Sequence, residues 1–233
     1  MDITFTKTNI QVIDIYKPLP AKKFLPDWYK NIPSYKDNKK VAFVEGTEEK
    51  AGTIKKCMPV FDAMTSGYII PSHVDIWVTQ RNGIPFYEWA DISPAPITWH
   101  PVWQAEGHPL ISNNFDAAKF NNPWAIKTPK GYSSLFISPM HSNTPIKILP
   151  GIVDTDQYTA TINFPFTLVY NDFEGLIPAG TPIAQIIPFK RDSWEQKDGG
   201  KKDFDEAYNK QSAIITRFYD AYKSLFWSKK RYN

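Results

Sequence analysis

Apolar and polar residues alternate along short stretches of the chain, and turn-forming residues separate these stretches. Apolar side chains occupy alternate positions towards the end of segment 68–78, and Asn82-Gly83 precedes a second apolar run over 84–89. Because Asn-Gly favours the two-residue turn of a β-hairpin, this pattern predicts two paired strands. The same period of two predicts further strands elsewhere. These cover residues 3–14, 124–128, 132–138, 151–154, 158–163, 166–171 and 182–189.

Helical spacing is confined to three segments. Residues 27–31 predict one helical turn, and apolar residues three or four positions apart predict a short helix within 53–66. Towards the C-terminal end, Asp203 and Glu206 have capping-box spacing before an amphipathic pattern of about 25 residues. We therefore expect a long C-terminal amphipathic helix. Residues 36–52 predict an exposed hairpin or loop.

The composition is typical of a folded, β-rich protein. Hydrophobic residues make up 42% of the 233 residues and aromatic residues 15%, which is enough for a substantial core. The 20 prolines interrupt helices and favour short strands joined by turns. We expect a mainly β domain over residues 1–191, a linker over 192–202, and the C-terminal helix with a basic tail over 203–233.

Charge and cysteine content indicate a soluble protein of the cytoplasm. The net charge of +3 is a mild bias that implies neither a nucleic-acid partner nor a membrane surface. Cys57 is the single cysteine, so it forms no internal disulfide, and a reducing compartment fits best. The first residues do not have the pattern of an export signal, and no apolar run approaches the roughly 18 residues of a membrane span.

Two ordered motifs carry a family resemblance. Gly151–Tyr158 contains a glycine, two apolar residues, Asp154 and then Tyr158, and Ile177–Ile186 contains a glycine turn followed by Ile-Ala-Gln, ending in Gln185 and Ile186. In this order the motifs resemble the dUTPase/dCTP deaminase family. The resemblance implies a β-clip or β-sandwich fold, and a homotrimer with nucleotide pockets between subunits. It also implies that Asp154 activates water and that Tyr158 packs on the nucleotide. Gln185 is a further ligand-binding candidate. The cofactor stays open, with Mg²⁺ an option if a triphosphate is bound.

The chain departs from the family pattern at its phosphate-binding motif. Where the family has Pro-Arg-Ser, this sequence has Pro139 followed by Met140-His141-Ser142, so the guanidinium that would grip phosphate is replaced. We take His141 and Ser142 as ligand-binding candidates at this point. The strand around Ala160–Ile162 also lacks the catalytic glutamate of the deaminase branch. Segments such as Cys57–Pro71 are similar to uncharacterised proteins of tailed marine phages, which would imply the host cytoplasm.

All four histidines, His73, His100, His108 and His141, precede Asp154 in the chain. His100, Glu106 and His108 are close in sequence and are candidate ligands for iron or zinc, although neither His-x-His nor His-Glu-x-x-His spacing occurs. His100 and Gln104 also belong to a polar and aromatic cluster, Trp99–Gln104, that is suited to line a small-molecule pocket. Ordinary packing is the alternative interpretation of the same residues.

Three functional hypotheses follow. The first is a divergent dUTPase-like protein that binds a nucleotide or nucleotide-like small molecule, and hydrolyses it if Asp154 is correctly positioned. The second is a non-enzymatic, phage-associated structural or interaction protein. The third is a metal-dependent β-fold enzyme that uses the histidine cluster. Binding to pyrimidine nucleotides separates the first hypothesis from the second, and metal content tests the third.

Overall fold

The computed structural model describes residues 1–12, 16–42, 48–90, 92–109, 117–216 and 220–233. Within these ranges the protein is mainly β, as the sequence predicts. Its strands are β1 (Thr4–Lys7), β2 (Leu19–Pro20), β3 (Tyr35–Ala42), β4 (Glu48–Gly52), β5 (Tyr68–Pro71), β6 (Ile76–Arg81), β7 (Ile84–Trp89), β8 (Ile97–His100), β9 (Ala117–Phe120), β10 (Trp124–Lys127), β11 (Tyr132–Ile137), β12 (Ile146–Ile148), β13 (Gly151–Val153), β14 (Phe164–Leu168), β15 (Gly175–Ile177) and β16 (Pro182–Lys190). Its α-helices are α1 (Asp27–Asn31), α2 (Met58–Thr65), α3 (Val102–Ala105), α4 (Lys201–Thr216) and α5 (Ala221–Leu225).

The chain divides into two compact units. Unit 1 comprises Met1–Pro26, Thr65–Arg191 and Tyr232–Asn233. Unit 2 comprises Asp27–Met64 and Asp192–Arg231. Unit 1 contains most of the strands and every candidate site residue named above.

Antiparallel pairing builds the sheets of unit 1. One sheet has the strand order β13-β11-β16-β5-β2, and a second has the order β12-β14-β9-β8. A third sheet has the order β15-β6-β7, and β1 pairs with β10. In β14 the burial alternates, so Phe164, Phe166 and Leu168 face the core while the residues between them are partly exposed. This alternation is the physical origin of the period of two in the sequence.

The core of unit 1 is made largely of β-branched and aromatic side chains, which pack well on pleated sheets. Its largest fully buried members come from several different strands. They are Phe120, Ile69, Ile70, Ile76, Ile97, Ile126, Ile146, Ile148, Ile177, Ile183, Ile186 and the polar Gln185.

The predicted hairpin of β6 and β7 is confirmed. The two strands pair from Ile76↔Trp89 to Arg81↔Ile84, which leaves Asn82 and Gly83 as the two-residue turn. Both turn residues have positive φ, at 53° and 77°, as a type I′ turn requires.

Unit 2 holds α1, nearly all of α2, α4, α5 and the β3–β4 hairpin. α1, α2 and the hairpin confirm the predictions for residues 27–31, 53–66 and 36–52, although residues 43–47 lie outside the described part. Lys55 Nζ donates to the carbonyl oxygens of Lys30 at 2.9 Å and Ile32 at 3.0 Å, so its charge caps the C-terminal end of α1.

The C-terminal helix differs from its prediction in length and in its start. α4 begins at Lys201, and the carboxylate of Asp203 accepts from the backbone N–H of Gly200 at 2.8 Å. Asp203 is therefore the third residue of α4, and its side chain bonds back to the residue before the helix. The prediction had placed Asp203 itself at the start of the helix. Asp220, with φ of 54°, precedes the separate helix α5, so the described residues do not form one helix of about 25 residues. No described helix is both long and apolar enough to cross a membrane.

Two predicted strands are wrong in extent. Within 158–163 the structure has only an isolated bridge between Thr161 and Ala125. The strand predicted over 3–14 ends at Lys7, where the pairing with β10 ends at Trp124, and residues 13–15 lie outside the described part. In both segments the alternation is present, but a partner strand runs alongside only part of it.

Candidate functional site

Sheet register brings Asp154 next to the end of β16. β11 lies between β13 and β16, with Ser134 opposite Val153 on one side and opposite Pro188 on the other. Asp154, one residue beyond β13, therefore comes alongside Ser133. Arg191, one residue beyond β16, lies alongside Gly131, and its N–H donates to the Gly131 carbonyl at 2.9 Å.

Asp154 is part of an ion-pair network. Its Oδ1 accepts from the Ser133 hydroxyl at 2.6 Å and from the Arg191 guanidinium at 3.2 Å. Arg191 also donates to both carboxylate oxygens of Asp156, at 2.8 and 2.5 Å. Arg191 thus joins the strand end to the turn after β13 through a bidentate pair, the strongest geometry for such a contact.

Asp156 is the more strongly held of the two carboxylates. Its side chain is only 4% exposed, whereas that of Asp154 is 54% exposed. The hydrogen bonds from Arg191, with a further one from the Gly131 N–H, lower the pKa of Asp156 to about 2, and the pair raises the pKa of Arg191. Sequence reasoning missed Arg191 because its partners come from another strand.

Buried hydroxyl groups complete this end of the sheet. The Thr155 hydroxyl lies 2.8 Å from that of Thr128 and 2.9 Å from that of Ser134. The Thr155 side chain is fully buried between the two aspartates in sequence. A buried, satisfied hydroxyl network fixes the backbone of the turn, and it therefore fixes the direction in which Asp154 and Asp156 point.

The Gln185 side chain is buried in the sheet and bonded to backbone groups. It is fully buried, its Nε2 donates to the Ser66 carbonyl at 2.7 Å, and its Oε1 accepts from the Met140 N–H at 2.9 Å. Gln185 pairs with Ile137, which is four positions along β11 from Ser133. The amide therefore lies about 13 Å along the strand from Asp154.

The remaining motif residues lie at turns. Tyr158 is 53% exposed, and its hydroxyl lies 3.4 Å from the Thr161 carbonyl. His141 has φ of 59°, and Ser142 Oγ accepts from the Thr144 N–H at 3.3 Å. Gly180 has φ of 87°, a backbone conformation that glycine adopts more easily than other residues, so the turn explains why glycine stands there.

A cavity of about 730 Å³ lies elsewhere in unit 1. This volume is within the usual range for small-molecule sites, roughly 300–1,000 Å³. None of Asp154, Tyr158 and Gln185 lines it. Its lining residues are His100, Gln104, Glu106, Gly107, His108, Pro109, Ala117, Leu149 and Pro165.

Local sequence explains one wall of the cavity. His100 ends β8 opposite Ala117 of β9, and Pro101, which cannot continue the ladder, precedes α3. One helical turn then brings Gln104 back beside His100, with Gln104 Oε1 2.7 Å from His100 Nδ1.

Glu106 and His108 flank a glycine turn. Gly107 has φ of 79° and no atom within 4 Å of the position of a Cβ, so the turn is tight and open. Leu149 and Pro165 form an apolar part of the lining, and the Leu149 N–H donates to the Pro165 carbonyl at 2.8 Å. The cavity therefore combines polar groups with apolar walls. Of the predicted cluster Trp99–Gln104, only His100 and Gln104 are among its lining residues.

Neither the cavity nor the Asp154 turn has the donor set of a metal site among the described residues. Within the described ranges, no three histidine, cysteine, aspartate or glutamate side chains form a group that could hold a metal ion. His100, Glu106 and His108 share the cavity lining without forming such a group. Arg191 bonds to Asp154 Oδ1 and to both carboxylate oxygens of Asp156, so the guanidinium occupies oxygen atoms that Mg²⁺ would need.

The fourth histidine, His73, lies in the core. It is 7% exposed, its ring packs edge-on against Phe120 with centroids 5.5 Å apart, and Nδ1 has no partner among the described residues. Burial lowers its pKa to about 4.

Comparisons with known proteins return only remote similarity. No family model and no curated protein matches the chain. Among solved structures, it is similar to a mutant dUTPase of Staphylococcus bacteriophage 80alpha with dUpNHpp, at 17% identity and a TM-score of 0.25, covering 36% of this chain and 66% of that chain. A second mutant of the same dUTPase gives 16% identity and a TM-score of 0.31, covering 58% and 76%.

A third similar structure is a mutant dUTPase from phage phi11 of S. aureus, described for its coordination of a structural Mg(II) ion. It is 14% identical, with a TM-score of 0.32, and the match covers 58% of this chain and 84% of that chain. Identities and TM-scores this low do not transfer a dUTPase's site residues or its activity to this chain.

Proposed function

We propose that the protein binds a nucleotide or nucleotide-like small molecule in the cavity lined by His100, Gln104, Glu106 and His108. The observation that carries this proposal is the cavity itself, with its volume of about 730 Å³ and its few oriented polar groups. The His100–Gln104 hydrogen bond holds two of these groups in place before a ligand arrives, which lowers the entropic cost of binding.

The apolar part of the lining suits a flat ring. Pro109, Leu149 and Pro165 offer surface on which the faces of a heterocycle can pack, while the polar side chains meet its edge. Nucleosides and nucleotides combine a flat heterocyclic base with polar substituents, so they are the first ligand class to test.

Thermal unfolding with a panel of nucleosides and nucleotides tests the proposal. A ligand at a hundredfold excess over its Kd stabilises by about 2.7 kcal/mol, which raises Tm by about 5–10 °C. Gln104→Ala should abolish this shift, and Gln211→Ala on exposed α4 should leave it unchanged. If no member of the panel raises Tm in the unaltered protein, the proposal is wrong.

Hydrolysis by Asp154 is a separate prediction. The contacts of Asp154 support a role in holding the strand ends more than a role in hydrolysis. Its Oδ1 contacts Ser133 and Arg191, and the residue does not line the cavity. Pyrophosphate release from deoxynucleoside triphosphates that is lost on Asp154→Asn would assign water activation to this carboxylate.

A second candidate function is that of a non-enzymatic, phage-associated interaction protein that assembles with further copies of itself. One face of the β15-β6-β7 sheet supports it, because Leu176, Trp77 and Phe86 are 43%, 45% and 40% exposed on that face. The Arg81 guanidinium lies 4.6 Å from the Phe86 ring centroid, as often occurs at protein interfaces.

Sedimentation velocity tests this assembly. Trp77→Ser should shift an oligomer towards monomer, whereas Trp194→Ser, which alters a tryptophan 91% exposed in the other unit, should not. A monomeric unaltered protein would contradict assembly through this face.

A further inference from the structure

The turn between β6 and β7 exposes a chemically reactive pair of residues. Asn82 and Gly83 are both exposed, and Asn82 is the single asparagine of the chain that a glycine follows. A Cβ at Gly83 would meet nothing within 4 Å, so the space beside this part of the backbone is open. Because glycine carries no side chain, the Gly83 nitrogen is also the least hindered backbone nitrogen that can follow an asparagine.

Neither group of the pair is held by a hydrogen bond. In the part of the chain that the structure describes, the Asn82 side-chain amide and the Gly83 N–H have no hydrogen-bonding partner. The ladder closes at the Arg81↔Ile84 pair, and the two turn residues lie beyond it. The amide carbon of Asn82 and the nitrogen of Gly83 belong to adjacent residues, so a reaction between them is intramolecular and needs no second molecule to approach.

We propose that Asn82 is a site of spontaneous deamidation. The Gly83 nitrogen loses its proton to hydroxide and attacks Cγ of Asn82, which forms an N–Cγ bond. The bond from Cγ to the side-chain nitrogen breaks, and ammonia leaves with a proton from water. Water then opens the five-membered imide: attack at Cγ gives aspartate, and attack at the backbone carbonyl carbon gives isoaspartate. The net change is asparagine plus water to an acid plus ammonia, so no oxidant or reductant is needed.

The two products differ in their effect on the hairpin. Asp-Gly suits a type I′ turn as Asn-Gly does, so aspartate keeps the turn and adds a negative charge beside Arg81. In isoaspartate the main chain runs through the former side chain, which adds one carbon to a two-residue turn. The longer turn no longer matches the Arg81↔Ile84 pair, so the pairing of β6 with β7 should loosen at that end, next to the contact between Arg81 and Phe86.

Asn143 is an internal control for this reaction. It is also exposed and lies outside regular secondary structure, but the residue after it is the β-branched Thr144. The Thr144 N–H donates to Ser142 Oγ at 3.3 Å, so the nitrogen that would attack is both crowded and hydrogen-bonded. Asn143 should therefore stay intact under conditions that deamidate Asn82.

Thermal unfolding separates the effects of the two products. Asn82→Asp supplies the charge without the extra main-chain carbon, so its Tm should stay close to that of the unaltered protein. Protein enriched in isoaspartate at this position should melt below Asn82→Asp. Equal Tm values would overturn the loosening of the hairpin.

Peptide mapping by mass spectrometry, after the full chain is incubated in mildly alkaline buffer, tests the site itself. The peptide with Asn82 should gain about one dalton and resolve into aspartate and isoaspartate forms, faster at higher pH, while the peptide with Asn143 keeps its mass. Gly83→Ala, which places a Cβ beside the attacking nitrogen, should slow the reaction several-fold. An Asn82 peptide that survives as long as the Asn143 peptide would overturn the proposal, whether or not the cavity binds a nucleotide.

Discussion

At the scale of single residues, the imidazole of His73 is the clearest case in which burial sets a protonation state. Burial lowers its pKa from 6.5 to about 4, so the folded protein disfavours the charged form. The resulting stability is complete above pH 6.5, the unfolded pKa, and it is lost as the pH falls from there towards 4. Charging this group costs up to about 3 kcal/mol.

We therefore expect urea denaturation to give a smaller free energy of unfolding at pH 4.5 than at pH 7. In His73→Leu this difference should shrink by about 2–3 kcal/mol, whatever the variant's stability at pH 7. His141→Asn removes a histidine at a positive-φ turn, which asparagine tolerates, and should preserve the difference. An unchanged pH dependence in His73→Leu would contradict the assignment of His73 as a neutral core residue.

The contrast between Asp154 and Arg191 is also a residue-scale finding. The motif around Asp154 drew attention to its carboxylate, while nothing local marked Arg191. Yet Arg191 determines what Asp154 contacts, because the bidentate pair with Asp156 fixes the guanidinium next to Asp154 Oδ1. The motif identified the carboxylate of Asp154, but what that carboxylate contacts depends on Arg191, which comes from a different strand.

At the scale of secondary-structure elements, one glycine controls the close approach of two chain segments. Gly67 joins α2 to β5 with φ of 73°, and a Cβ there would lie 1.8 Å from the Ile186 carbonyl oxygen in β16. Gly67→Ala must therefore move backbone. Gly83 in the β6–β7 turn has a similar φ of 77°, but a Cβ there would meet nothing within 4 Å.

These two glycines form a matched test. Both substitutions carry the backbone cost of alanine at positive φ, about 1 kcal/mol, but only Gly67→Ala adds the clash, which raises its cost to about 2–4 kcal/mol. Thermal unfolding should show Gly67→Ala melting several degrees below Gly83→Ala. Equal Tm values would mean that the chain at position 67 moves away from Ile186 in β16 without destabilising the protein.

Elements whose signals are local could be predicted from the sequence. The β6–β7 hairpin follows from Asn82-Gly83. The short helix α3 and its His100–Gln104 contact were not predicted. Elements that depend on a distant partner could not. Segment 158–163 alternates like a strand, but it meets only Ala125, so its pattern does not become a sheet strand.

The cavity illustrates the same division. His100, Gln104, Glu106 and His108 were candidates because they are polar or titratable and close in sequence. Leu149 and Pro165 carry no chemical signal, and they reach the lining through the pairing of β14 with β9 and β12. His100 and Gln104 were therefore predicted as pocket-lining residues and Glu106 and His108 only as metal candidates, while the apolar half of the lining needed the sheet order.

At the scale of the whole molecule, unit 1 contains two polar centres with different physical character. Around Asp154 the acidic side chains are bonded to Arg191 and to backbone, which indicates a role in fixing the ends of β13 and β16. Around Glu106 the polar side chains line a cavity. No residue belongs to both, so stability and ligand binding should be separable by mutation.

Asp154→Asn and Glu106→Ala, alone and together, test this separation. Asp154→Asn removes a partly exposed charge pair, so it should lower Tm by about 2–4 °C, the equivalent of about 1 kcal/mol, and leave the Kd for the tightest nucleoside of the panel unchanged. Glu106→Ala should weaken binding and leave Tm unchanged. Because residues without shared partners act independently, the double variant should show both effects at full size. A weakened Kd in Asp154→Asn would instead mean that the carboxylate after β13 contributes to the ligand site, as the family motif implies.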